Sequence, residues 1–147
     1  MAINRRQLHA SPERVFEVLM DSHAYGDWVV GSDVIRDTDA EWPAVGSRFH
    51  HRVGVGPFKL NDHTQVIEID PPRLLVLHAR ARPAGTATVK LLLEPRDGGT
   101  LVTMSETAGD LLSHIGINPL TDWLVHLRNA ESLRRLARIA ETGVVKT

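Results

Sequence analysis

The chain has 147 residues, of which 42% are hydrophobic and 24% charged, and this balance is typical of a globular domain. Its 17 basic and 18 acidic residues nearly cancel, so composition gives no sign of a nucleic-acid partner. Cysteine is absent, which excludes disulfides, zinc–thiolate sites and thiol nucleophiles. The sequence has neither a signal-peptide pattern nor an apolar run of about 18 residues. We therefore expect a single cytoplasmic domain over residues 1–147 with no integral membrane association.

The first part of the chain predicts one strand and then two short helices. Residues 3–10 are expected to form the strand. Ser11 is a good N-cap, Pro12 suits the first helical position, and Glu13 favours the positive N-terminal end of a helix. The apolar stripe of this helix consists of Val15, Phe16, Leu19 and Met20. A second short helix is predicted over residues 22–28.

Residues 33–107 carry the signals of strands and turns. The predicted strands span residues 33–37, 47–54, 58–69, 74–82, 86–94 and 101–107. Pro71 and Pro72 end the third of these because proline cannot donate to a strand ladder, and the Asp-Gly-Gly sequence at 97–99 predicts a hairpin turn. Alternation of apolar Leu75 and Leu77 with polar His78 predicts one face toward a core and one toward water.

The last part of the chain predicts a long helix. Asn118 and Pro119 provide a cap and a first helical residue, the helix continues to about Thr142, and Gly143 stops it. Apolar residues recur at helical spacing, namely Leu120, Trp123, Leu124, Leu127, Leu136, Ala137 and Ala140. A helix of about 24 residues is roughly 36 Å long and needs a large apolar surface, which only the sheet offers. The element order predicts an α+β helix-grip fold, with a seven-stranded curved antiparallel sheet around the C-terminal helix.

Several short motifs follow one another in a fixed order. They are ASPERVF at residues 10–16, Trp28, VGSRF at 45–49, VIEIDPPRL at 66–74, LEP at 93–95 and GTLVT at 99–103. In this order they resemble the START-like or SRPBCC superfamily, which includes polyketide cyclase/dehydrase-like and lipid-transfer proteins. The resemblance covers nearly the whole chain and implies a hollow between the sheet and the long helix. It implies no particular ligand or activity.

Strand parity supplies candidates for polar groups inside that hollow. If Ile67 and Ile69 face inward, the same alternation turns His63 inward, and His51 shares the more apolar face of its strand with Phe49. The resemblance suggests that Val102, Met104 and Glu106 also point inward. Glu106, His63 and His51 are therefore candidate ligand-binding or acid–base groups.

We expect an internal pocket of roughly 300–1,000 Å³, the usual range for small-ligand sites. Its predicted ligand-binding residues are Trp28, Phe49, His51, His63, Leu77, Val89, Leu91, Met104, Glu106 and Trp123. Cofactor-binding motifs are absent from the sequence, and the adjacent histidines His50 and His51 alternate across a strand. We therefore expect neither a metal nor a cofactor.

Two further polar residues are assigned from their positions in the predicted helices. Arg128 is expected on the solvated face of the last helix, and Tyr25 either offers its hydroxyl to a ligand or lies on the surface.

Three functional hypotheses remain open at this stage. The first is a binding protein for a small hydrophobic or amphipathic molecule, such as a lipid, polyketide or aromatic metabolite. The second is a cofactor-independent polyketide cyclase or dehydratase that uses Glu106 or a histidine for proton transfer. The third is an interaction module that uses a sheet edge or residues 111–117, which are either a lid or a partner contact. A homodimer is compatible with each of them.

Overall fold

The computed structural model describes residues 2–21, 24–29, 32–55, 58–81, 85–109 and 119–142. In chain order the elements are β1 (Ala2–Leu8), α1 (Pro12–Met20), α2 (Tyr25–Trp28), β2 (Ser32–Thr38), β3 (Arg48–Val55), β4 (Phe58–Asp70), β5 (Leu74–Ala81), β6 (Gly85–Arg96), β7 (Gly99–Gly109) and α3 (Pro119–Thr142). Their bounds differ from the expected ones by a few residues, the usual scatter at element ends. The segment 111–117, a predicted lid or partner contact, lies outside the described residues.

The strands form one antiparallel sheet in the spatial order β1-β7-β6-β5-β4-β3-β2. The strands at its two edges, β1 and β2, are linked in sequence through α1 and α2. The expected pairing of β5 with β6 is confirmed, with Leu75 opposite Leu91 and Leu77 opposite Val89. These four side chains are buried on one face, whereas Lys90 is exposed on the other. An α+β fold with a curved antiparallel sheet and a C-terminal helix is thus confirmed.

Two neighbouring glycines serve different purposes at the hairpin between β6 and β7. Asp97 and Gly98 form the two-residue turn with φ angles of 50° and 78°, as a turn of type I′ requires. Gly99 has no positive φ, but a Cβ added there would lie 2.1 Å from the carbonyl oxygen of Leu8. Glycine at position 99 is therefore required by the close approach of β1 to β7.

The first helix begins as its sequence predicts. The side chain of Ser11 accepts a hydrogen bond of 3.1 Å from the backbone N–H of Arg14, and Pro12 occupies the first turn. The predicted apolar stripe of this helix faces the core, since Val15 and Phe16 are buried there. Arg14 donates from its guanidinium to the carbonyl oxygens of Ile139 and Ala140, so α1 is tied to the end of α3.

A β-bulge in β4 reverses part of the expected parity. Val66 pairs with Leu77, but the next pair along joins Glu68 to Val76, so β4 contains one extra residue, Ile67. Ile67 is 47% exposed, and its predicted inward orientation is wrong. Because the alternation is shifted by one residue at the bulge, the parity counted backward from Ile67 is inverted for the preceding part of the strand.

The long helix α3 lies mainly against β1, α1 and α2. Its buried stripe consists of Asn129, Ser132, Leu133, Leu136, Ala137, Ile139 and Ala140. At about 100° per residue, Trp123 and Leu127 fall instead on the side of Arg134 and Arg138. Trp123 is accordingly 57% exposed, so the apolar residues of the first half of the helix do not continue the buried stripe. None of the described helices is long and apolar enough to cross a membrane.

Candidate functional site

A carboxylate lies on the apolar inner face of the sheet. Glu106 is only 9% exposed and follows Val102 and Met104 on the inward face of β7. Its cross-strand neighbours are Ala2 on β1 and Val89 on β6, both buried. A carboxylate in such surroundings is costly unless partners replace its lost hydration.

Two consecutive residues of α3 supply those partners. Arg128 donates from Nη2 to Oε1 of Glu106 in an ion pair, and Asn129 donates from Nδ2 to the same oxygen at 3.3 Å. Asn129 is fully buried, whereas the side chain of Arg128 is 42% exposed. The ion pair therefore extends from the interior toward the surface, and Arg128, which is exposed as its assignment to the solvated face predicts, also pairs with a buried carboxylate.

A buried asparagine on β1 adds a further polar group. Asn4 pairs with Met104 in the β1–β7 ladder and is buried. Its Nδ2 donates to the carbonyl oxygen of His126 on α3 at 3.0 Å. Its Oδ1 is buried and has no hydrogen-bond donor among the described residues. Asn4 thus leaves one acceptor available in the interior.

The hydroxyl of Tyr25 lies close enough to this ion pair for both charges to affect its pKa. Tyr25 is buried and shares a hydrogen bond with the side chain of Thr64. Burial raises the pKa of the Tyr25 phenol to about 12, while Thr64 and the Arg128 charge act to lower it and the Glu106 charge acts to raise it. The phenol is therefore neutral at physiological pH and is able to donate a hydrogen bond. Its placement resolves the open question in favour of an interior residue.

Aromatic rings pack beside this hydroxyl. The Tyr25 ring lies 5.4 Å from the Trp28 ring and 4.4 Å from the Phe49 ring, and Phe49 lies 4.7 Å from Trp42, all in edge-to-face contacts. The indole N–H of Trp42 donates to the carbonyl oxygen of Met20 at 2.7 Å. The indole N–H of Trp28 is buried and has no acceptor among the described residues. Two interior tryptophans thus differ in whether their donor is satisfied.

We refer to five buried residues and the exposed Arg128 that pairs with one of them as the interior polar cluster, namely Asn4, Tyr25, Thr64, Glu106, Arg128 and Asn129. They come from β1, α2, β4, β7 and α3, so the fold brings together residues from both ends of the chain. The cluster combines a charge-balanced ion pair, a neutral phenol and an unpaired amide oxygen within apolar walls. Such a set of groups can orient a small molecule through hydrogen bonds while apolar contacts provide most of the affinity.

The placement of Tyr25 can be tested directly because it is the only tyrosine in the chain. We expect tyrosinate absorbance at 295 nm to appear with a midpoint near pH 12 in the folded protein and near pH 10 when it is unfolded. Since the folded-state pKa is the higher one, the associated stability is complete below pH 10 and is lost as the pH rises toward 12. Tyr25→Phe should remove this part of the alkaline loss of stability. A folded-state midpoint near pH 10 would contradict the buried placement.

The structure separates the predicted site residues into three groups. Seven are buried in the described interior, namely Trp28, Phe49, Leu77, Val89, Leu91, Met104 and Glu106. Two lie elsewhere: Trp123 is on the surface, and His63 is on the outer face of the sheet. The side chain of His51 lies outside the described part of the chain. The ligand-binding or catalytic role of each residue stays a prediction.

The outward orientation of His63 follows from its register. His63 pairs with His50, and the two rings are 6.2 Å apart in an edge-to-face arrangement. The adjacent pair, Phe49 and Thr64, is fully buried and faces inward, so the histidine pair must face the opposite side. The prediction that His63 points into the hollow is wrong because the bulge at Ile67 inverts the parity. Within the described residues, no three His, Asp or Glu side chains form a group able to hold a metal ion.

The fold and interior described above are those of the helix-grip class, and comparison with known proteins places the chain within it. The chain belongs to the family described as "Activator of Hsp90 ATPase homolog 1-like protein", whose model matches residues 9–141. This family is part of the SRPBCC or START-like superfamily, as the motifs indicated. A comparison with the sequences of curated proteins gives no significant match.

Solved structures with a similar fold are distant in sequence. Protein MLL2253 from Mesorhizobium loti is 18% identical, with coverage of 97% of this chain and 98% of that one and a TM-score of 0.72. The Aha1 dimer from Colwellia psychrerythraea is 16% identical, with coverage of 97% and 96% and a TM-score of 0.70. DynU16, from the dynemicin biosynthetic locus, is 19% identical, with a TM-score of 0.71, and 98% of this chain aligns with 48% of DynU16.

Proposed function

We propose that the chain binds a small, mainly apolar molecule between the inner face of the sheet and the helices. The observation that carries this proposal is that the described interior contains the interior polar cluster and, besides it, buried polar atoms without partners. Asn4 Oδ1 and Asp27 Oδ2 lack a donor, and Trp28 Nε1 lacks an acceptor, among the described residues. Buried polar groups are normally paired, so three such atoms suggest a site for a bound molecule or ordered water.

The surroundings of the cluster support an apolar ligand. The buried side chains of Leu77, Val89, Leu91 and Met104 line the inner face of the sheet, and the rings of Trp28 and Phe49 both contact the ring of Tyr25. Burial of apolar ligand surface on such residues contributes about 25 cal/mol per Å² before the costs of association are subtracted. A few polar groups in an apolar interior are the usual composition of a small-molecule site.

The proposal is tested by isolating the protein from the organism that encodes it and extracting any bound compound. We expect mass spectrometry of the extract to identify one mainly apolar compound in near-stoichiometric amount, and the stripped protein to take it up again. Protein that carries no such compound and binds no member of a panel of apolar probes would contradict the proposal.

Glu106→Gln distinguishes a binding protein from an enzyme, because the amide keeps the shape of the side chain and removes its charge. For a binding protein we expect the dissociation constant of the extracted ligand to change by about fivefold, the effect of one hydrogen bond. A proton-transfer role would instead lower turnover of that ligand by about 100-fold or more while binding is preserved. Calorimetric titration and product analysis on the same variant measure both quantities. Loss of turnover with intact binding would favour a cyclase or dehydratase.

We also propose a homodimer in which the exposed apolar side chains of Trp123, Leu124 and Leu127 meet their copies. In a two-fold dimer the same patch lies on both subunits, and an apolar patch meets its own copy without repulsion between like charges. The dimeric state of the Colwellia Aha1 protein, which has this fold, supports the proposal. We expect sedimentation velocity to give a dimer for the wild type and a monomer for Trp123→Ser. A wild type that remains monomeric at all concentrations would contradict it.

A further inference from the structure

The outer face of the sheet carries a row of polar side chains that crosses five strands. The row contains one residue from each of β3 to β7, each paired with the next in the backbone ladders, namely Arg48, Gln65, His78, Thr88 and Thr107. Each has a chain neighbour that is buried on the inner face, so alternation places the row on the outer face. Neighbouring strands are about 4.8 Å apart, so this outer row is about 19 Å long.

The end of the outer row on β3 carries an available positive charge. Arg48 is exposed, and its guanidinium pairs with no carboxylate among the described residues. The Asp39 carboxylate beside it accepts from the backbone N–H of Arg48 at 3.0 Å and lies 3.9 Å from Nε2 of His50. His50 pairs with His63 at the next outward position of these strands. A guanidinium and histidine rings on one surface favour an anionic partner.

Two exposed apolar side chains lie at the same end of the outer row. Val45 is 63% exposed and Ile67 is 47% exposed, and we refer to them as the apolar pair. Gly46 donates from its backbone N–H to the carbonyl oxygen of Val66 at 2.8 Å, which holds the chain neighbours of the apolar pair together. Gln65 of the outer row donates from Nε2 to the carbonyl oxygen of Gly46 at 3.0 Å. The bulge in β4 exposes Ile67, and bulges often re-aim a side chain beside a functional site.

This combination fits a segment of protein better than other anions. The outer row contains one arginine and no phenylalanine, tyrosine or tryptophan on which a nucleic-acid base could stack. A small inorganic anion needs donors that converge on one point, whereas these side chains stand side by side across a sheet. Apolar contacts bordered by polar and charged groups are the usual anatomy of a protein–protein interface.

We propose that this surface binds an extended acidic segment of another protein. One apolar side chain of the segment packs on the apolar pair, and its carboxylates pair with Arg48 and His78. Glu68 follows Ile67 and is exposed, so its charge directs the acidic residues of the segment away from it and along the outer row. An extended chain of about six residues matches the length of the row. The surface faces away from the interior polar cluster, so its occupant is independent of an interior ligand.

Fluorescence anisotropy with three labelled heptapeptides tests the proposal. They contain six glutamates around a central leucine, seven glutamates, and six lysines around a central leucine. We expect the glutamate–leucine peptide to bind at least about tenfold more tightly than the lysine–leucine peptide, because only its charge is complementary. The central leucine should contribute about threefold over the seven-glutamate peptide. Equal binding of the lysine–leucine peptide, or no saturable binding of the glutamate–leucine peptide up to millimolar concentration, would overturn the proposal. Tighter binding of single-stranded oligothymidine would identify a nucleic-acid surface instead and overturn it as well.

Four variants locate the binding on the outer face. Arg48→Gln should weaken the glutamate–leucine peptide about fivefold or more, whereas Arg5→Gln, an exposed arginine of the same face that pairs with Thr103 outside the outer row, should have little effect. Ile67→Ala should remove the advantage of the central leucine, whereas Trp123→Ser, at an exposed apolar residue of α3, should preserve it. Unchanged binding to both Arg48→Gln and Ile67→Ala would contradict the proposal. All four substitutions are at exposed side chains, and circular dichroism checks that each variant is folded.

Discussion

Replacement of Phe49 by alanine is expected to lower the free energy of unfolding by about 3–5 kcal/mol. Phe49 is fully buried, and its ring contacts both Tyr25 and Trp42 in edge-to-face geometry. The truncation removes apolar contacts and leaves a cavity beside the interior polar cluster. Urea denaturation followed by circular dichroism measures the change, and an unaltered m-value shows that the comparison is valid.

Ile67→Ala provides the matched control for that measurement. Ile67 is the extra residue of the bulge in β4 and is 47% exposed, so we expect a loss of less than about 1 kcal/mol. An uninterrupted alternation along β4 would instead place Ile67 in the core and make its truncation cost about 2–5 kcal/mol. A large effect at Ile67 would therefore contradict the bulge and, with it, the outward orientation of His63.

Arg128→Leu is expected to destabilise the protein by about 2 kcal/mol, because it leaves the buried Glu106 carboxylate with Asn129 as its remaining donor. The value is smaller than for a fully buried pair because the Arg128 side chain is 42% exposed. Addition of Glu106→Gln should recover part of the loss, since no unpaired charge then remains. A double-mutant cycle with these two substitutions gives a coupling energy, which we expect to be about 1–2 kcal/mol.

Arg134→Leu is the control on the same helix. Arg134 pairs with Glu131 at the surface, and because exposed pairs contribute little to stability we expect a much smaller loss than at Arg128. A loss at Arg128 no greater than the loss at Arg134 would show that the Glu106 pair behaves as a surface pair. The interior polar cluster would then contain no buried ion pair.

Sequence patterns were sufficient for the architecture but only partly sufficient for the site. The alternation in β5 and β6 is regular, so Leu77, Val89 and Leu91 could be placed on the inner face. The apolar run Val66-Ile67 before Glu68 is compatible with either parity, and only the pairing with β5 reveals the extra residue. The wrong orientation predicted for His63 follows from this ambiguity in the parity of β4.

One polar partner of Glu106, Asn129, could have been predicted from the helical spacing of the buried residues. Asn129 lies four residues before Leu133, seven before Leu136 and eight before Ala137, so a polar residue falls on the buried stripe of α3. A buried polar residue needs a partner, and Glu106 is the one it has. The reach of Arg128 to Glu106, and the two unpaired atoms of Asn4 and Trp28, depend on side-chain directions that spacing does not specify.

The three tryptophans allow the most direct test of a ligand site in the interior. Trp28 is buried with an unpaired N–H, Trp42 donates to the Met20 carbonyl oxygen, and Trp123 is on the surface. In a proton–nitrogen correlation spectrum the three indole N–H groups give separate signals, which substitution to phenylalanine assigns. On addition of the ligand extracted from the native host we expect the largest shift at Trp28, with little change at Trp42. A largest shift at Trp123, with Trp28 unmoved, would place binding on the surface and contradict an interior site.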